Sequence, residues 1–276
     1  MIGALIIVFR EVIEAGLIIG IVLAATRGVP GRGQWIGLGV LAGILGASLI
    51  AAFAGVISES FEGMGQELLN AAVLCAAVAM LMWHNAWMAR HGREMAAEMF
   101  KVGAEVSTGK RPLTALAMVV GLAVLREGAE VVLFLYGIVA GGTSTSALLT
   151  GGLLGLLGGV AFTGLTYVGL LAIPSRYIFS VTTILIALLA AGMAAQAVQY
   201  LDAAGLVTVL GGSMWDTSDW LSQGSIPGRI LHALMGYNER PTVLQVIVYV
   251  ATLAIMAVLM RVAAPPRPPL QAKPAS

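Results

Sequence analysis

Six charged residues sit in stretches that are otherwise apolar, and they come as two copies of one pattern. Arg10, Glu11 and Glu14 lie in FREVIEAGL; Arg126, Glu127 and Glu130 lie in LREGAEVVL. A charged side chain at the centre of a membrane helix costs roughly 2.5–3.5 kcal/mol, so such residues mark a functional site by default. Residues three and four apart share a helix face. Glu11 and Glu14 therefore point the same way, as do Glu127 and Glu130, and each arginine lies one turn from the second glutamate of its own copy. Four carboxylates offer up to eight hard oxygens, a set that favours hard cations. Fe3+, small and highly charged, suits such a set by the same logic, whereas a soft metal would want Cys or Met sulfur. Arg10 and Arg126 bring the formal charge of the six residues to −2. They can hold the carboxylates by charge-assisted hydrogen bonds, with the glutamates pivoting from arginine to metal when a cation binds. The expected metal ligands are Glu11, Glu14, Glu127 and Glu130, supported by Arg10 and Arg126. Two other roles use the same residue types: neutralised Arg–Glu pairs that pin helices together, and a carboxylate proton relay. Recurrence at equivalent positions, and the excess of acid over base, weigh against simple pinning.

The elements that position these residues follow from composition. The chain has 276 residues, 59% hydrophobic and 11% charged, with 35 glycines and a mean hydropathy of +0.94. Soluble domains are about 25% charged, so an all-α polytopic membrane protein is expected. A span needs about 20 apolar residues. Seven fit, at roughly 2–25, 35–57, 66–88, 115–138, 147–171, 177–200 and 242–262, with turn residues near Gly31, Gly63, Gly141 and Pro174. No basic n-region precedes the first apolar run, which also carries acids, so it reads as a retained helix rather than a cleaved signal. The Pro-rich end, 265–276, reads as a disordered cytoplasmic tail. Cys75 stands alone, forms no redox or metal motif, and reads as a small packed residue. A net charge of +1 gives no sign of a nucleic-acid partner.

Lysine and arginine orient the bundle. Arg27, Arg32, Arg90, Arg93, Lys101, Lys110, Arg111, Arg176, Arg261, Arg267 and Lys273 fall on one side, and only Arg229 and Arg240 on the other. Positive residues gather in the cytoplasm, which puts the N-terminus outside and the C-terminus inside. The outer side then carries Glu59, Glu62, Glu67, Asp216 and Asp219, a candidate entry that would concentrate cations. Gln196, Gln199 and Tyr200, at the outer end of the sixth span, read either as path-lining oxygens or, for Tyr200, as an interface anchor. The segment 89–111 reads as an amphipathic surface helix, with Met95, Met99, Val102 and Val106 at helical spacing, or as a solvated connector. His84, His91 and His232 are scattered without ligand spacing and are assigned no metal.

The two clusters align without gaps, each in the first span of a three-span group, and Gly43 and Gly46 of the second span resemble Gly155 and Gly158 of the fifth. An odd number of spans per group inverts the second relative to the first. The expected architecture is a 3+3 inverted repeat plus one helix, with substrate held at the repeat interface near mid-membrane. A permease domain would cover 1–264: repeat one about 1–90, repeat two about 113–202, seventh helix about 242–262. The spacings Gly39-x-x-x-Gly43 and Gly151-x-x-x-Gly155-x-x-x-Gly159 read as close helix packing.

These residues resemble the high-affinity ferric iron permease family, the iron/lead transporters, in a compact bacterial form. The likeness rests on Arg-Glu-x-x-Glu in the first and fourth spans, on QAVQYLDAAGL, and on MWDTSDWLSQGSIPGRILHALMGYNERPTVLQ, and it covers essentially the whole chain. The resemblance implies Fe3+ import across the cytoplasmic membrane, with Fe3+ as the substrate and no bound organic cofactor. It also implies separate periplasmic iron-binding and iron-oxidising proteins as partners, besides membrane lipid, and an outward acidic motif, for which Glu59-Ser60-Phe61-Glu62 is the candidate. Many members carry Gly-Leu between the glutamates; here the residues are Val12-Ile13 and Gly128-Ala129, which puts close helix approach at Val12 in question. Another cation (Pb2+, Fe2+, Mn2+) or a proton-coupled cation exchanger is the alternative within transport. No His-Glu-x-x-His, Gly-x-Ser-x-Gly or P-loop motif occurs, so an enzyme or an ATP-driven pump is not expected.

Overall fold

The structure, a computed structural model, describes residues 1–59, 66–169 and 175–263. Among these lie eight helices: α1 Ile2–Ala25, α2 Arg32–Glu59, α3 Gln66–Ser107, α4 Thr114–Ala140, α5 Thr145–Tyr167, α6 Ser175–Ala203, α7 Ile226–Met235 and α8 Val243–Ala263. Residue 62, the turns near 63 and 174, and the tail from 265 lie outside the described residues. Five helices (α2, α3, α5, α6 and α8) contain stretches long and apolar enough to cross a membrane. α1 and α4 have 24 and 27 residues, ample for about 30 Å of hydrocarbon at 1.5 Å per residue. Each is interrupted by its own three charges.

Apolar residues turn outward and charges inward, the reverse of a soluble protein. Leu38, Leu41, Leu45, Leu49 and Phe53 form an exposed stripe on α2, and Leu149, Leu153, Leu157 and Val160 form another on α5. Stripes of this extent need a lipid environment. With lipid outside, helices gain little from hydrophobic burial and depend on close backbone packing. In that packing α1 lies along α5, α4 along α2, and α3 along α6. Glycines set the separation. A Cβ at Gly43 would come within 2.8 Å of the Gly121 carbonyl, and one at Gly155 within 2.6 Å of the Leu5 carbonyl.

The fit extends to the motif's middle residues. Val12 of α1 faces Gly159 of α5, whereas Gly128 of α4 faces Ala47 of α2. The bulk at Val12 is accommodated by a glycine on its partner, so close approach is kept in both pairs.

Two expectations are corrected, and one further helix appears. The segment 89–111 is not a separate surface helix: α3 runs unbroken to Ser107, about 63 Å of helix, twice the hydrocarbon thickness. Its amphipathic character is real, because Val102 and Val106 are buried, Val106 against Val22, Ile36, Leu116 and Val120, and Gly103 lets Ala25 approach. Nothing in 89–107 breaks a helix, and the first residue beyond it that does is Gly109, at φ +74°. Cys75 is exposed rather than packed, because Ala71, Leu74, Ala77, Val78 and Leu81 take the inner face of α3. The long loop before α8 contains a further helix, α7. Ser225 caps it by accepting from the Gly228 N–H, proline sits in its first turn, and Gly236 at φ +68° ends it, the sequence grammar of a short helix.

Candidate metal centre

α1 and α4 bring their charged turns together at the middle of the bundle, where α3 crosses both. Glu11, Glu14, Glu127 and Glu130 are all buried, at 1–4% exposure. In the first copy, Arg10 donates from Nη1 to Glu11 Oε1 at 3.0 Å and from Nη2 to Glu14 Oε1 at 2.8 Å. In the second, Arg126 Nε reaches Glu130 Oε1 at 3.1 Å. The other oxygen of Glu11 and of Glu14, and both oxygens of Glu127, are buried without a hydrogen-bond partner. The arginines thus hold one oxygen of a carboxylate and leave the second free, so the glutamates need not pivot to offer a ligand. Buried polar atoms without partners are rare and call for an explanation.

A fifth side chain enters from α3. His84 is fully buried, with Nδ1 against Glu130 Oε2 and Nε2 3.6 Å from Glu14 Oε2 and 4.0 Å from Glu11 Oε2. One ligand atom each from Glu11, His84, Glu127 and Glu130 lies within 4.8 Å of the others. Two metal–ligand bonds of about 2.2 Å span about 4.4 Å, so a shift of a few tenths of an ångström would close the set around one ion. Glu14 stands beside this group, tied to Arg10. His84, scattered along the sequence and assigned no metal there, is thus buried within the carboxylate cluster. Its inward direction was readable: Leu74, Val78 and Leu81 set a helical stripe that continues onto 84 and 85, and Asn85 is buried with it.

The chain's relatives have the same scope. The model of the iron permease FTR1 family matches residues 1–264. The chain belongs to that family. It is 31% identical to the ferrous iron permease EfeU of Shigella sonnei (strain Ss046) and to that of Escherichia coli O157:H7, in each case over 95% of both chains. It is 31% identical to the EfeU of Yersinia pestis over 88% of this chain and 87% of the relative. No solved structure matches. A permease family and five apolar spans make this a multi-pass protein of the inner membrane, concerned with iron transport.

The rest of this family member's site is apolar. A cavity of about 820 Å³ runs between α1, α2, α4 and α5, and Glu11 and Glu127 are the charged groups on its wall. The two arginines differ in setting. Arg10 is 3% exposed; Arg126 is 29% exposed, with its guanidinium carbon 4.1 Å from the centre of the Trp87 ring and Nη1 3.8 Å from Met95 Sδ. His91 stacks on Trp87, with ring centres 5.1 Å apart.

The expected entry residues do not join the cluster. Glu67 is exposed at the start of α3; the side chain of Glu59, and all of Glu62, lie outside the described residues. Asp216 accepts from the Ser218 hydroxyl and backbone N–H and pairs with Arg240 Nε at 2.9 Å. The Ser218 hydroxyl first, then Arg240, hold its carboxyl at about 2. Asp219 is exposed. Gln196 and Gln199 line a second cavity, of about 400 Å³, with Trp215, His232, Gln245 and Tyr249. There Gln196 Nε2 donates to the Gly141 carbonyl at 2.7 Å, and His232 Nδ1 meets the Tyr237 carbonyl at 2.7 Å. Tyr200 instead packs against the core of α3 and α6.

Proposed function

We propose that this chain imports iron across the inner membrane through a centre built from Glu11, Glu127 and Glu130, with Glu14 adjoining and Arg10 and Arg126 holding the carboxylates. The observation that carries this reading is the meeting of unpartnered, buried carboxylate oxygens from two separate helices around one small volume. A structural Arg–Glu pin would leave no such surplus. The crossed pairing of helices supports a 3+3 inverted repeat, which would set the two motifs across a pseudo-two-fold axis at mid-membrane. Seven spans with the N-terminus outside and the C-terminus inside complete the arrangement. Separate periplasmic proteins that bind or oxidise iron would deliver the ion.

Carboxylate hardness favours Fe3+ as the cargo. A second reading, Fe2+, has two observations behind it: the relatives are named ferrous iron permeases, and four glutamates with two arginines leave a formal −2 that a divalent ion neutralises. The test is iron uptake by cells lacking other importers, with and without an impermeant chelator selective for Fe2+. Uptake that persists in the chelator identifies Fe3+; uptake abolished by it identifies Fe2+. Absence of iron uptake under both conditions contradicts the function itself.

A further inference from the structure

We propose that the His84 imidazole is itself a ligand to the transported ion, and the residue by which the centre separates iron from Mn2+, Mg2+ and Ca2+. This rests on the glutamate centre proposed above. His84 is fully buried; its Nδ1 lies against Glu130 Oε2, while its Nε2, 3.6 Å from Glu14 Oε2, has no hydrogen-bond partner. A histidine kept for packing would normally be satisfied at both nitrogens, because an unpaired buried polar group costs about 1–3 kcal/mol. Asn85, next along the helix, shows the satisfied alternative: its amide donates to the Leu81 carbonyl at 3.0 Å. The His84 ring instead faces carboxylate oxygens of Glu11, Glu14 and Glu130, and one of its nitrogens completes the four-atom group with Glu11, Glu127 and Glu130.

The imidazole comes from one repeat only. At the offset that relates Gly39, Gly43 and Gly46 to Gly151, Gly155 and Gly158, His84 corresponds to Gln196, whose amide is occupied at the Gly141 carbonyl. The two glutamate pairs are thus shared between repeats, and the nitrogen donor breaks the symmetry. Its chemical consequence is selectivity. Carboxylates alone suit Mg2+, Ca2+ and Mn2+ as well as iron, whereas imidazole favours iron and the later transition metals. One nitrogen among oxygens raises the affinity for iron relative to the abundant all-oxygen cations.

The test uses the purified full chain loaded with iron, read by X-ray absorption at the iron edge, together with uptake in cells. The intact chain should show the multiple scattering of a coordinated imidazole, and His84→Gln should lose it. In cells, the Mn2+ concentration that halves iron uptake should fall about tenfold in His84→Gln, with membrane abundance checked; His84→Asn is the second variant if the first is not retained. An iron-loaded intact chain without imidazole scattering overturns the assignment and leaves the glutamate centre standing. So does an unchanged Mn2+ sensitivity in a variant that reaches the membrane. An intact chain that binds no iron overturns the glutamate centre and His84 with it.

Discussion

Arg10 and Arg126 occupy equivalent places in two copies of one motif, yet they are held by different physics. Arg10 bridges two carboxylates in a nearly dry setting, whereas Arg126 pairs with one and rests on the Trp87 ring in a more open one. Removing one partner of a buried ion pair costs about 3–5 kcal/mol, because the remaining charge is stranded; a cation–π contact is worth about 0.5–2 kcal/mol. Arg10→Gln should therefore lower the thermal stability of the purified protein markedly, and Arg126→Gln or Trp87→Leu only modestly. Thermal unfolding in detergent measures this, and equal losses from the two arginine variants would show that burial does not set the difference. The motif itself was legible because charges in an apolar run stand out. His84 was not, because one polar residue near the expected end of a span looks like an ordinary boundary.

At the scale of elements, the α1–α5 and α2–α4 contacts hold the two motifs in register. A side chain at Gly155 would meet the backbone of Leu5 and Phe9, which cannot give way, whereas Gly20 has open space around it. Gly155→Leu should cost at least about 1–3 kcal/mol by overpacking, and Gly20→Ala should be tolerated. The midpoint of thermal aggregation reads both, and a Gly155→Leu chain as stable as the intact one would contradict the close-packed crossing. Six of the seven expected spans appear as helices within a few residues of their predicted limits, because about 20 apolar residues in lipid have few alternatives to a helix. The third was misjudged at its C-terminal end. Hydropathy reports where a helix leaves the apolar layer, not where its hydrogen bonds stop, and 89–107 continues as helix with Val106 packed on the bundle. The α7 helix escaped for the opposite reason: it is too short for a hydropathy signal, although Ser225, Pro227 and Gly236 announce its ends.

For the whole molecule, the proposed orientation follows from charge alone. Arg90, Lys101, Lys110 and Arg111 are exposed along the far end of α3 and the turn after it, a position that suits contact with the cytoplasm and the anionic inner leaflet. A reporter active only in the cytoplasm should function when fused after residue 263 and fail when fused before Met1. The reverse pattern would overturn the orientation and move the polar cavity beside α7 to the inner face.

The central claim is that carboxylates from both copies act on one ion. The most direct measurement is iron uptake in cells lacking other importers, comparing the intact chain with Glu11→Gln and Glu127→Gln, with membrane abundance checked for each. Glutamine keeps shape and hydrogen bonding while removing charge. The account predicts that both variants reach the membrane and that each loses iron uptake almost completely. Normal uptake by either variant would contradict it, because one copy of the motif would then suffice.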